Sequence, residues 1–267
     1  MAGRQFLNAG RSTPDKEDVI RTFGAIVAVA YAALLVVVAP IQGRRRFAAL
    51  LHAIATDPSA RLAFYRRTVA RQWPITLAAL ALIGLLTGRT PSSIGLGAPR
   101  PGHSLLSGGM IAAVVGLAAG GILVTFIARS PGGRAKLRDA MGPASALLPV
   151  TSAERRVFLA VSVTAGVTEE LAFRGFLLSF MQWLAPDAAH VWLVLLSGVA
   201  FGVAHLYQGP RGIITTGIVG ALLADATLAS GSLLVPMLIH TVLDARWSAL
   251  PSFHDAAHTP VASTESS

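Results

Sequence analysis

The segment Thr168-Glu169-Glu170-Leu171-Ala172-Phe173-Arg174-Gly175 sets two adjacent carboxylates and a guanidinium inside Val157 to Leu178, which is otherwise apolar or small. An ionisable group at membrane depth costs at least about 2.5–3.5 kcal/mol on insertion scales, so such groups face a protein interior or a cavity and mark functional sites. Glu170 and Arg174 are four residues apart with the acid first, the favourable order for an ion pair within one helix. Glu169 points about 100° away around the helix and cannot share that geometry equally. Either one carboxylate is structural and the other is free for chemistry, or all three residues form a buried network that holds helices together.

Two further stretches carry polar groups in apolar surroundings. Phe201-Gly202-Val203-Ala204-His205 ends an apolar run on an imidazole, with Phe201 one turn earlier on the same face. His240-Thr241-Val242-Leu243-Asp244 puts an imidazole and a carboxylate on one helical face. Each alone is explained by hydrogen bonding of buried groups. Together they burden three apolar segments with separate penalties, and one shared polar cavity is the simpler account. A carboxylate taking a proton from water, with a histidine sharing that water and polar groups stabilising an oxyanion, suffices for amide hydrolysis. Glu169, His205 and His240 equally offer one oxygen and two nitrogen ligands to a catalytic zinc that keeps a water in its fourth position. Both mechanisms, zinc-assisted and metal-free, fit the residues. There is no His-Glu-x-x-His sequence, and neither Ser197 nor Ser232 lies in a Gly-x-Ser-x-Gly turn. Asp225 is either a cavity residue or a group near the outer end of its helix.

The elements that must position these groups are membrane helices. Of the 267 residues 53% are hydrophobic and 13% charged, and the mean hydropathy is +0.61, whereas a soluble domain carries roughly 25% charge. The formal charge of +9 gathers in the gaps between apolar runs, which reads as a topology signal rather than a nucleic-acid surface. The absence of cysteine excludes thiol chemistry, disulfides and thiolate metal sites. At 1.5 Å rise per residue a span needs about 20 residues. The expected fold is all-α, a polytopic transmembrane bundle of about seven spanning helices, or eight. Expected spans are Phe23–Ile41, Trp73–Leu86, Leu105–Ala128, one starting near Val157, Ala189–Leu206, Ile213–Ala229 and Leu233–Leu250. Phe176 to Leu184 reads as the end of the fourth span, a re-entrant piece or an eighth helix.

Gln42 to Gln72 and Arg129 to Arg156 are strongly basic, so both are expected on the cytoplasmic side, which puts the N-terminus outside. Phe47 to Ala70 has apolar residues at helical spacing between arginines and could lie along the membrane surface. The first apolar run is too long, and ends too basic at Arg44-Arg45-Arg46, for a cleaved signal peptide. The chain divides into a polar N-terminal segment 1–22, N-terminal spans and basic loops 23–145, a region 146–250 carrying the chemistry, and a polar tail 251–267 expected to be disordered.

Glu169-Glu170-x-x-x-Arg174, Phe201-x-x-x-His205 and His240-x-x-x-Asp244, in this order on three spans, resemble the motifs of the CPBP intramembrane proteases. That family comprises type II CAAX prenyl endopeptidases and bacteriocin-processing or immunity (Abi) proteins. The resemblance covers about Ala146 to Asp244, including Leu147-Leu148-Pro149, Glu154-Arg155-Arg156, Phe173-Arg174-Gly175-Phe176, Gly231-Ser232-Leu233 and Pro236. It implies an intramembrane endopeptidase, of metalloprotease or glutamate type. By the resemblance Glu169 acts as general base on water with His205, Glu170 and Arg174 support it, and His240 with residue 244 stabilises the oxyanion. The family has Asn or Asp at that last position; an ionised Asp244 cannot donate, so here it would orient a protonated His240 or be protonated itself. The preference for Arg over Lys and the high Ala and Gly content suggest a GC-rich bacterial genome and hence an inner-membrane protein. CAAX processing is not expected there, and the substrate implied is a membrane-associated peptide or protein. A non-catalytic scaffold or immunity protein keeping the fold is the alternative, and a proton or ion pathway ranks below it.

Overall fold

A computed structural model describes residues 16–88, 90–99 and 108–250. The polar N-terminus through residue 15, the start of the expected third span and the tail 251–267 lie outside them. Among the described residues all regular structure is helical. Helix α1 (Lys16–Ala33) passes through a π-helical stretch, Leu34–Val38, into α2 (Ala39–Ile54), so the first span continues through Arg44, Arg45 and Arg46. A turn at Asp57 and Ser59 leads to α3 (Ala60–Thr87), which carries Pro74 within it. The expected short second span, Trp73–Leu86, is the second half of this 28-residue helix. The basic stretch before it is largely helical, broken between Ile54 and Ala60.

Helix α4 (Gly108–Ile127) is followed by α5 (Pro131–Met141), whose first turn is capped by the Ser130 hydroxyl. Helix α6 (Ser152–Glu170) opens on a capping box formed by Thr151 and Glu154. It continues through a second π-helical stretch, Leu171–Leu177, into α7 (Leu178–Leu184). Phe176 to Leu184 is therefore the end of the helix that begins at Ser152. Helices α8 (His190–Ala204), α9 (Gly209–Ser230) and α10 (Leu234–Ala249) complete the bundle.

By length and composition three stretches can cross a bilayer: Thr22–Ile54, Ala60–Leu85 and Leu206–Ser230. Val114–Ile127 and His190–Ala204 are shorter apolar helices. The expected count of seven is not reached by this measure. Every stretch of 18 residues within α6 and α7 holds at least three of Glu154, Arg155, Arg156, Glu169, Glu170 and Arg174, so it fails by its charge rather than by its length.

The bundle is apolar outside and polar within. Leu85, Ile122 and Leu238 are 83%, 70% and 66% exposed, whereas Ser162, Glu170, Arg174, Ser197 and Ser230 are buried. That inversion suits a protein whose solvent is hydrocarbon. Without a hydrophobic drive between helices, close backbone packing must hold them, and small residues permit it. A Cβ on Gly202 would stand 2.5 Å from the Ile213 carbonyl oxygen, and one on Gly198 2.8 Å from that of Gly217, so α8 and α9 meet backbone to backbone. Gly166 of α6 leaves no room for a Cβ against Thr241 of α10.

Polar ties fix the helices at one end. Arg61 of α3 bonds the Ala146 carbonyl at 2.8 Å and Glu154 at 3.2 Å, and Tyr65 donates to the Leu147 carbonyl at 2.5 Å. Arg155 reaches the Ser248 and Leu250 carbonyls at the end of α10. Burial works to raise the Glu154 carboxyl, but the Thr151 and Val150 amides and the Arg61 guanidinium outweigh it and hold the group below its ordinary range.

Candidate active site

The two carboxylates of α6 take different environments, as their 100° separation requires. Glu170 is fully buried. Its Oε1 accepts from Arg174 Nη1 at 2.9 Å and faces His240 Nδ1 at 2.8 Å. Arg174 also donates Nη2 to the Gly220 carbonyl of α9 at 2.8 Å, and its guanidinium lies 4.3 Å from the centroid of the Phe201 ring. One ion pair thus joins α6, α8, α9 and α10. Gly220 is required for it, because a Cβ there would meet Phe201 Cβ at 2.8 Å.

Glu169 turns toward α3 and α8 instead. Its Oε1 accepts from the Gln72 amide at 3.4 Å, and its Oε2 lies 3.8 Å from His205 Nε2. Oε2 is buried and has no hydrogen-bond partner among the described residues. His205 Nδ1 lies 2.8 Å from the Phe201 carbonyl oxygen. A carbonyl only accepts, so Nδ1 carries a proton, and Nε2 is the ring nitrogen that faces Glu169. A gap of 3.8 Å between two such atoms is one that a water can bridge.

Phe201 is the hub of the site. Its ring centroid is 4.7 Å from that of His205 and 5.7 Å from that of His240. It packs edge-on to Phe173 at 5.2 Å. His240 Nε2 faces Asp244 Oδ2 at 3.7 Å, and the Asp244 side chain is 39% exposed. All seven residues singled out from the sequence, Glu169, Glu170, Arg174, Phe201, His205, His240 and Asp244, therefore fall in one contiguous cluster.

The residues of the zinc alternative, Glu169, His205 and His240, do not form a ligand group among the described residues. His240 turns one ring nitrogen to Glu170 and the other toward Asp244. No group of three or more His, Asp or Glu side chains among the described residues is arranged to hold a metal ion. Asp225 belongs elsewhere: it pairs with His190 at 2.7 Å near the opposite helix ends.

Gln72 was not legible as a site residue. Its neighbour Trp73 donates to Thr164 of α6 at 3.0 Å, which locks this part of α3 beside Glu169. Gln72 Oε1 is itself buried and unpartnered among the described residues. The available signal was an amide directly before Trp73-Pro74, in a stretch that reads as loop.

Residues 152–246 match the family model for Rce1-like proteins, described as type II CAAX prenyl endopeptidase Rce1-like. Over that segment the chain is similar to the Rce1-like proteins. The Rce1-like segment begins at the first residue of α6 and ends in α10, so it includes all seven clustered residues and excludes Gln72. No curated protein and no solved structure matches the chain.

Proposed function

We propose that this protein is an intramembrane endopeptidase that hydrolyses a peptide bond in a membrane-associated protein or peptide. The observation that carries the proposal is Glu169 Oε2, buried and unpartnered, facing His205 Nε2 at 3.8 Å. A water held between them would donate to Glu169 and direct a lone pair at a carbonyl carbon. As the new C–O bond forms, Glu169 takes the water proton. His240, held by Glu170 and facing Asp244, donates to the oxyanion that develops. Return of the proton to the amide nitrogen breaks the C–N bond and releases an amine and a carboxylic acid, whose proton passes to the amine to leave a carboxylate and an ammonium. Glu170 and Arg174 act as the frame that fixes His240 and Phe201.

The site is proposed to open toward the cytoplasm. His205 lies at the end of α8, beside Tyr207, whose ring packs on Phe47 of α2, one residue past the Arg44–Arg46 run. At the other end the loop 91–97 covers the helices: Ile94 packs with Leu171, Leu233 and Met237, and Ser232 Oγ donates to the Gly97 carbonyl.

The test compares new peptide termini, by mass spectrometry, in membranes holding the wild type or Glu169→Gln at matched abundance. Termini that appear only with the wild type establish hydrolysis and identify the substrate. Identical termini across growth conditions would overturn the reading and leave a scaffold that keeps the fold.

A further inference from the structure

A second feature lies outside this cluster, on the face where α4 and α10 meet. The two helices enclose a crevice of about 560 Å³ whose walls include Leu117, Gly121, Ile122, Leu238 and Val242. Ile122, Leu238 and Val242 are 70%, 66% and 59% exposed, so this surface meets hydrocarbon in a bilayer. At one end, and only there, the lining is charged: Arg129, just past the last turn of α4, and Arg246, in the last turn of α10. No acidic residue lines the crevice.

Arg129 is exposed, and its side chain makes no hydrogen bond or ion pair among the described residues. Arg246 donates Nη1 to the Leu243 carbonyl at 2.6 Å and stacks on Trp247 at 4.8 Å. Its Nε is buried without a partner among the described residues, and Asp244 is the carboxylate that acts on it. A second hollow of about 550 Å³ shares Phe126 and Arg129 and adds Lys136. The mouth thus offers two arginines beside a groove long enough for hydrocarbon, and Lys136 lines the adjoining hollow.

We propose that this crevice binds an anionic phospholipid, with an acyl chain along α4 and α10 and the phosphate between Arg129 and Arg246. Basic pockets between transmembrane helices on the cytoplasmic side take such headgroups. Charge complementarity favours a lipid over a second copy of the chain, because the apposed surface of a copy would bring the same arginines together. The proposal stands independently of the protease reading.

The test is native mass spectrometry of the purified full chain in detergent with equimolar phosphatidylglycerol and phosphatidylcholine of identical chains. Each arginine is expected to contribute roughly a fivefold preference for phosphatidylglycerol. Arg129→Gln with Arg246→Gln should bring the ratio to near unity, while Ile122→Trp with Val242→Trp should lower retention of both lipids. If Arg246→Gln does not fold, Arg129→Glu alone should cut the preference. Equal retention by the wild type, or an unchanged preference in the arginine variants, overturns the proposal. So does a dimer cross-linked through Ile122 and Val242.

Discussion

Removing Arg174 or Glu170 strands the other as a buried charge, and breaking such a pair costs about 3–5 kcal/mol. Arg174→Met and Glu170→Ala should therefore lower the unfolding temperature and the membrane abundance together. Glu169→Gln keeps the shape and the Gln72 neighbour, so it should accumulate normally while turnover falls by about 10²–10⁴. Equal abundance losses for Glu169→Gln and Arg174→Met would contradict this division of roles. Gln72→Leu removes one hydrogen bond from Glu169, and a fall in kcat of up to about tenfold with KM unchanged is expected. An unaltered kcat and pH profile would deny Gln72 a positioning role. That Glu169 and Glu170 face different neighbours was legible in the sequence, because adjacent residues cannot share a helical face and only Glu170 stands four before Arg174. The surroundings of His240 were not, since spacing cannot show that both its ring nitrogens point to carboxylates. Gln72 was hidden because it follows a run of arginines and so reads as loop.

Among the elements, the α8–α9 pair depends on glycine. The Cβ of Gly202→Ala would press on the Ile213 backbone, which cannot rotate away as a side chain can. Overpacking of this kind costs about 1–3 kcal/mol, and it would also shift His205 three residues on. Thermal unfolding and activity should both fall, whereas Ala at exposed Gly120, with nothing near its Cβ, should leave both unchanged. The start of α6 gives a pH dependence. Glu154 titrates below its ordinary value of 4.5 in the folded protein, so it stabilises above that value, and the contribution is lost as pH falls through the folded value. Glu154→Gln should lower the unfolding temperature at pH 7 and narrow its gap from the wild type in acid. A constant gap from pH 7 to pH 3 would show that the capping carboxylate does not act through its charge. Hydropathy located the cores of α8, α9 and α10 to within a few residues. It left Phe176–Leu184 open because the π-helical stretch after Glu170 carries the helix on past the charges, which no apolar periodicity announces.

At the scale of the whole molecule, the pairs Arg61–Glu154, Tyr65–Phe158 and Gln72–Glu169 advance together along α3 and α6, so these helices run parallel. Arg155 meets the last residues of α10 at that same end. The two basic regions expected on the cytoplasmic side, one from the α2–α3 junction and one before α6, are thereby brought together, and Asp187 and the His190–Asp225 pair lie toward the opposite helix ends. A fold that had scattered these arginines over both ends would have contradicted the charge rule; gathering them makes orientation a single yes-or-no question. The chain has no cysteine, so single reporters can be placed without background. Ser59→Cys, in the exposed turn between α2 and α3, and Asp187→Cys, in the exposed turn between α7 and α8, mark the two ends. In intact cells a membrane-impermeant maleimide should label Asp187→Cys and leave Ser59→Cys unreacted until the membrane is opened. The reverse pattern would turn the molecule over and place His205 on the outer side. Labelling of both in sealed cells would mean that the α2–α3 junction and the α7–α8 turn share one face, which the parallel course of α3 and α6 forbids.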